Sequence, residues 1–157
     1  MSVTVTYENL NTSDLPRRGV TPATASVHEL LVDLEADLTV RDGGRVVFAA
    51  QEFPVAELAR ALVGWLGQEV PGGFRFDSMS FAEPGAVRIE EVAGGWRVGS
   101  VFEPDAWTAP VAREVLAAEL TRFTDAVREG VAALGADPAL VPPLSTPPAS
   151  PSTSSAG

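Results

Sequence analysis

The sequence predicts an α+β fold in which one antiparallel sheet of about six strands carries two helices on a single face, a two-layer sandwich. Apolar and polar residues alternate in several short segments, as in strands with one buried face. In two longer segments, apolar residues recur every three or four positions, as in helices that cover a sheet. The resulting order, β-β-β-α-β-β-β-α, favours antiparallel pairing of neighbouring strands.

The first three strands are predicted from alternation and from turn residues. SVTVTYENL reads as a short alternating strand, and a loop rich in Pro, Gly, Ser and Thr follows it. VHELLVDLEADLTV, residues 27–40, has apolar residues at nearly every second position, which predicts one long strand. The Asp-Gly pair in RDGGR is typical of a tight hairpin, so RVVFAA is expected to return as the partner strand.

Each group of strands is followed by a predicted helix. FPVAELARALVGWLGQ has an apolar stripe at helical spacing that includes Trp65. FRFDSMSF, AVRIEEV and WRVGSVF are the next three strands, joined by Pro-Gly and Gly-Gly turns. The last helix, VAREVLAAELTRFTDAVREGVAALG, carries a stripe that includes Phe123, with Thr108 as its expected N-cap and Gly135 at its end.

Composition separates one α+β domain, residues 1–137, from a tail at residues 138–157. The tail reads PALVPPLSTPPASPSTSSAG, in which Pro, Ser, Thr and Ala dominate and charge is absent. It lacks the apolar content that offsets the entropy of ordering, which predicts a disordered Pro/Ser-rich tail.

Composition also argues against several classes of function. The chain has no cysteine and a single histidine, His28, so thiolate and multi-histidine metal sites are excluded. A net charge of −10 argues against binding nucleic acid through its phosphates and favours a basic partner protein. Apolar runs are too short to span a membrane, and the start of the sequence lacks a secretory signal, so we expect a cytoplasmic protein. We expect no cofactor, and the oligomeric state stays open.

The open face of the predicted sheet is the candidate protein-binding surface. Four acids lie on the polar side of segment 27–40, and we expect them to share a face with arginines from the later strands. Opposite charges paired across strands contribute about 0.2–1 kcal/mol each, so a merely solvated, cross-paired surface is the alternative interpretation. The candidate residues are Glu29, Asp33, Glu35, Asp37, Arg75, Asp77, Arg88, Glu90, Arg97 and Trp107.

No catalytic or metal-binding residue is assigned. Carboxylates on an open strand lack the apolar pocket that raises a pKa towards neutrality, as acid/base catalysis requires. Side chains two positions apart on a strand project in parallel, which does not suit metal coordination. The sequence contains neither a phosphate-binding glycine motif nor a G-x-S-x-G nucleophile elbow.

The three tryptophans receive different interpretations. Trp65 and Trp96 fall in apolar stripes and are predicted to lie in the core. Trp107 lies in EPDAWTAP, between the last strand and the last helix. It is interpreted either as a cap on the edge of the core or as an exposed anchor of the type enriched at protein interfaces.

The block FRFDSMSFAEPGAVRIEEVAGGWRVGSVF, with FPVAELARALVGWL before it, resembles an uncharacterised family of small actinobacterial proteins. The resemblance spans about 27–134. That family has no assigned activity, so the resemblance implies no catalytic residue. In layout the chain is also similar to immunity proteins of bacterial polymorphic-toxin systems, which are small and often acidic; this similarity is an analogy of arrangement.

Two functions follow as expectations. The first is a non-enzymatic intracellular protein-binding domain, immunity- or antitoxin-like, whose acidic sheet face covers a basic, toxin-like surface. The alternative is a small-molecule-binding or enzymatic domain with a pocket between sheet and helices. Such a pocket requires polar residues on the inner rows, where Ser78, Ser80 and Ser100 are the candidates.

Overall fold

The computed structural model describes residues 3–12, 15, 19–69, 72–78, 80–81 and 84–144. Three helices lie in this part of the chain: α1 (Val27–Asp33), α2 (Val55–Leu66) and α3 (Arg113–Ala133). It also contains seven strands: β1 (Val3–Asn11), β2 (Glu35–Asp42), β3 (Arg45–Phe53), β4 (Phe74–Arg75), β5 (Arg88–Val92), β6 (Gly95–Ser100) and β7 (Glu103–Trp107). The α+β class and the antiparallel pairing are confirmed.

The strands form two sheets instead of the predicted single one. The first has the order β1-β2-β3 and the second the order β4-β5-β6-β7. The sheets meet where β3 lies beside β7: Arg45 Nη2 donates to the carbonyl of Trp107 at 2.8 Å. Two features work against a continuous ladder there, because β3 is bulged near its start and β7 contains Pro104, which has no N–H to donate.

The long strand predicted for residues 27–40 is wrong in its first half, which forms α1. Ser26 and Glu29 form a capping box: Ser26 Oγ accepts from Glu29 N–H at 3.1 Å, and Glu29 Oε1 accepts from Ser26 N–H at 2.9 Å. This arrangement satisfies two backbone donors and starts the helix. Alternation begins only at Leu34, from which every second side chain of β2 is buried.

Two other segments differ from their predicted structure. Of FRFDSMSF, only Phe74–Arg75 pairs as a strand, because Ser78 Oγ accepts from the backbone N–H of Ser80 and turns the chain. EPDAW, read as a linker, forms β7. Thr108 is not the N-cap of α3: its Oγ1 accepts from Val98 N–H at 2.9 Å, and the helix begins at Arg113, after the N-cap residue Ala112.

Helices α2 and α3 pack against each other and cover the inner faces of both sheets. Against the first sheet, Phe123 of α3 meets Tyr7 of β1 edge to face, with ring centres 6.2 Å apart. Against the second sheet, Trp65 of α2 meets Trp96 of β6 at 5.6 Å. Both tryptophans are buried, as predicted, and the outer faces of the sheets lie away from the helices.

Strand β1 is an edge of the first sheet, and α3 supplies hydrogen-bond partners for its backbone. Glu119 Oε2 accepts from Val5 N–H at 2.8 Å, and Arg122 Nη2 donates to the Val5 carbonyl at 2.7 Å. One residue of β1 thus pairs with two side chains in place of a further strand. Such cover lowers the tendency of an exposed edge to recruit another chain.

Residues just after α3 pack on the domain, inside the segment assigned to the tail. Pro138–Leu140 form a turn of 3-10 helix, and Leu140 and Val141 are 3% and 0% exposed. Arg128 Nε donates to the Val141 carbonyl at 2.6 Å, which holds the chain against α3. The rest of the predicted disordered tail, residues 145–157, lies outside the described residues.

We expect the stability of the domain to fall above pH 10, the ordinary pKa of tyrosine, because of Tyr7. Burial, and then the nearby charge of Glu129, raise the pKa of Tyr7 in the folded state. The folded state therefore favours the neutral phenol of Tyr7. The stability that this preference contributes is complete below pH 10 and is lost as the pH rises through the folded pKa. Unfolding in denaturant at several alkaline pH values measures the loss, and Tyr7→Phe should remove it.

The composition makes this measurement specific. Tyr7 is the sole tyrosine, and the chain has no cysteine and no lysine, so no other side chain titrates near this pH. Ultraviolet absorbance of the tyrosinate should therefore titrate above pH 10 in the folded protein and near pH 10 in denaturant. Equal midpoints in the two states would contradict the burial of this phenol.

Candidate protein-binding face

The predicted row of four acids is divided between two structures. Glu29 belongs to the capping box of α1, where its carboxylate accepts from the backbone of Ser26. Asp33, at the end of the same helix, is only 3% exposed. Neither residue lies on a strand, so the prediction that both face outward from a sheet is wrong. The reason is local, since the capping box favours a helix over residues whose polarity also fits a strand.

Glu35 and Asp37 lie on the outer side of β2, between the buried residues Ala36 and Leu38. Asp37 stands directly opposite Glu8 of β1 in the register. Asn9 Nδ2 donates to Asp37 Oδ2 at 2.8 Å, which supplies a donor to a carboxylate that has another acid beside it. We name Glu8, Glu35 and Asp37 the acidic corner. Glu8 was missed because its position opposite Asp37 depends on the register of two strands.

The arginines of the candidate surface lie on the second sheet, not beside the acids of β2. Arg75 is on β4, Arg88 on β5 and Arg97 on β6. The expected ion pairs between these arginines and the acids of the first sheet are therefore wrong. Instead, Glu90 is directly opposite Arg97 in the register, and Arg97 Nε donates to Glu90 Oε1 at 3.0 Å. Asp77 is exposed just after β4.

Trp107 lies on the outer face of the second sheet and is half-buried there. It is paired with Gly99 of β6, and the indole lies over this glycine: a Cβ on Gly99 would come within 2.9 Å of Trp107 Cε3. The guanidinium carbons of Arg88 and Arg97 lie 4.3 and 3.9 Å from the ring centre. Cation–π contacts of this kind contribute about 0.5–1 kcal/mol each at exposed sites.

We name the group of Arg88, Glu90, Arg97 and Trp107 the Trp107 face. Its indole is held by the strand pairing, by the absence of a side chain at Gly99 and by two guanidinium groups. Neither of the two interpretations of Trp107 describes this position fully, since the ring is held against the sheet while part of it stays open to solvent. The sequence signal that was missed is Gly99 in WRVGS, a strand glycine that marks close approach of another group.

A buried carboxylate joins the Trp107 face to the first sheet. Asp42, at the end of β2, accepts from the backbone N–H of Ala109 at 2.8 Å. Arg45 Nη2 lies 3.5 Å from the same carboxylate oxygen and also donates to the carbonyl of Trp107. These bonds tie the end of β7 to the first hairpin.

The inner serines serve the fold. Ser78 Oγ donates to Glu57 Oε1 of α2 at 2.6 Å, and Ser100 Oγ accepts from the N–H of Phe102 at 3.1 Å. Ser80 is exposed instead of inward. Within the described residues, no group of three or more His, Cys, Asp or Glu side chains is arranged to hold a metal ion.

A model of a protein family described as a domain of unknown function (DUF7878) matches residues 15–133. The chain belongs to this family. The matched range contains all three helices and both faces described above, apart from β1 and its Glu8. The resemblance to an uncharacterised family is thus confirmed. No curated protein and no solved structure matches the chain significantly.

None of the helices in the described part is both long and apolar enough to cross a bilayer.

Proposed function

We propose that this protein is a non-enzymatic, intracellular protein-binding domain that contacts its partner through the Trp107 face. The observation that carries the proposal is the position of the indole, which packs over Gly99 beside the guanidinium groups of Arg88 and Arg97 and has one part open to solvent. Tryptophan and arginine are the residues most enriched among those that dominate binding energy at protein interfaces. A ring that is already held in place loses little conformational entropy when a partner covers it.

The distribution of charge indicates the chemistry of the partner. The chain has a net charge of −10, and the acidic corner places Glu8 and Asp37 side by side on the outer face of the first sheet. A basic partner would relieve this repulsion and would be attracted over a long range. An immunity- or antitoxin-like role fits this arrangement if the acidic corner attracts the basic surface of a toxin, while the Trp107 face, which itself carries two arginines and one glutamate, supplies the aromatic contact.

The second candidate function, a small-molecule-binding or enzymatic domain with an internal pocket, has less support. Apolar side chains fill the space between the sheets and the helices, where Phe53 meets Phe76 and Trp65 meets Trp96 at ring distances of 5.6 Å. The serines expected to line such a pocket are bonded within the fold or exposed.

A photo-crosslinking experiment in the host cell tests the proposal. One position for the photoreactive residue is Asp105, an exposed residue of β7 two positions before Trp107. The control position is the exposed Glu114 in the first turn of α3. We expect a partner to be captured from Asp105 and not from Glu114.

Binding of the captured partner, once purified, is then measured by calorimetry. Trp107→Ala should raise the Kd at least about 30-fold, the factor that corresponds to about 2 kcal/mol, the usual lower bound for a dominant interface residue. Val115→Ala, at an exposed position of α3, should leave the Kd unchanged. If Trp107→Ala keeps the native melting temperature and binds as tightly as the unmodified protein, the proposal is wrong.

The acidic corner makes a separate prediction about rates. Replacing Glu35 by Gln and Asp37 by Asn should change stability by about 1 kcal/mol or less, because both carboxylates are partly exposed and the interactions of such charges are weak and screened. Asp33 is left intact in this variant because it is buried. Association with a basic partner should slow and lose part of its salt dependence, while dissociation changes less. Stopped-flow measurements at low and high salt give both rates. If these charges act only after docking, the variant would dissociate faster while its association rate stays unchanged.

A further inference from the structure

Two arginines stand side by side at the free edge of the second sheet. Arg75 of the edge strand β4 is directly opposite Arg88 of β5 in the antiparallel register. Like charges in directly opposed positions destabilise a strand pair. Both side chains line a cleft of about 460 Å³, together with Gly73, Phe74, Ile89 and Glu90. We name this the Arg75–Arg88 cleft.

In the part of the chain that the structure describes, no acidic side chain forms an ion pair with Arg75 or Arg88. Arg75 forms no hydrogen bond or ion pair with any residue in the described part of the chain. Glu90 is the acid in the lining, and it is bound by Arg97. The group of Arg75, Arg88, Arg97 and Glu90 therefore carries three positive charges and one negative charge, on a protein whose net charge is −10.

Arg88 is held in place with part of its hydrogen-bonding capacity unused. Its Nη2 donates to the carbonyl of Pro104 at 3.2 Å, and its guanidinium lies over the Trp107 ring. Its Nε is buried and has no acceptor among the described residues. A buried donor without an acceptor costs stability, and an oxygen atom in the cleft would supply the missing acceptor once the Arg88 side chain shifts enough to expose this N–H.

We propose that the Arg75–Arg88 cleft binds a compact oxyanion, a carboxylate or phosphate group. Guanidinium groups donate parallel N–H bonds to two oxygens of such a group, and two of them on neighbouring strands enclose it from both sides. Trp107 and Pro104 orient Arg88 in advance, whereas Arg75 is free to move onto the anion. The group can belong to a free small molecule or to a side chain of another protein, and the two sources share this chemistry.

Arginine side-chain NMR on the full-length protein tests the proposal. Malonate and inorganic phosphate represent free anions, and a blocked tripeptide with one aspartate represents a carboxylate on a chain. We expect saturable shifts of the Nε–H signals of Arg75 and Arg88 with at least one probe. The signal of the exposed Arg113 should not saturate, and chloride at equal ionic strength controls for screening. The probe with the lower half-saturation concentration identifies the source.

Arginine variants distinguish binding at the Arg75–Arg88 cleft from a general attraction of anions to arginine side chains. Arg75→Gln should weaken binding at least about tenfold, because it removes one charge-assisted pair of hydrogen bonds. Arg88→Gln should do the same, and Arg113→Gln should have no effect. Because Arg75 is exposed on the two-residue edge strand β4, its replacement is expected to leave the fold intact, and the melting temperature of the variant checks this. The proposal is overturned if no probe shifts the two signals beyond chloride, or if Arg75→Gln binds as tightly as the unmodified protein. Since the probes are small, either result leaves the protein-binding proposal standing.

Discussion

Replacing Phe123 by alanine is expected to destabilise the domain by about 3–5 kcal/mol, the usual cost of truncating a buried phenylalanine. Phe123 is 1% exposed at the centre of α3 and packs edge to face on Tyr7 of β1. Its removal opens a cavity between the helix layer and the first sheet. It also removes the support of the strand whose backbone Glu119 and Arg122 bind. Denaturant unfolding, followed by tryptophan fluorescence, measures the loss.

Val115→Ala is the matched control on the same helix, because Val115 is 50% exposed. This change should alter the free energy of unfolding by no more than about 0.5 kcal/mol. A loss below about 1 kcal/mol for Phe123→Ala would mean that this side of α3 does not lie in the core. The packing of the helix layer on the first sheet would then need to be revised.

A comparable loss of stability, about 3–5 kcal/mol, is expected for Gly95→Ala at the first residue of β6, directly after the hairpin turn. Two effects add at this position. The backbone has φ +138°, which side chains with a Cβ rarely adopt, and a Cβ would lie 2.3 Å from the carbonyl oxygen of Val111. That carbonyl cannot move aside freely, because it accepts the hydrogen bond from Trp96 N–H.

The neighbouring Gly94 provides the control for Gly95. It has φ +94°, but the nearest atom to its Cβ position is Pro110 Cβ at 3.8 Å, which is ordinary contact. Gly94→Ala should therefore show the backbone cost alone, about 1–2 kcal/mol. Equal losses for the two variants, measured by thermal unfolding, would contradict the close approach of residue 111 to the hairpin.

The sequence by itself determined the features that depend on neighbours along the chain. The alternation from Leu34 to Val40 places β2, and the 3.6-residue stripes place α2 and the buried side of α3. Gly94-Gly95 marks the hairpin, and Gly135 follows the end of α3 with a positive φ. Each is a local pattern, set by strand or helix periodicity or by backbone sterics. The outward positions of Arg75, Arg88, Glu90 and Arg97 followed from the same alternation.

Only the tertiary structure decided how these elements combine. Segment 27–33 fits a strand by polarity, and its capping box, Ser26 with Glu29, is a local sequence signal for a helix. The packing of Leu30 in the core supports the helix, which divided the predicted acidic row. The single sheet became two at β3 and β7, where a bulge and Pro104 interrupt pairing. The setting of Trp107 required Gly99 beside it and Arg88 one strand further, residues 8 and 19 positions away in the chain. Such residues come together through the register of paired strands. The alternation within one strand does not encode register, because a period of two specifies the face on which a side chain lies and not its neighbours across the sheet.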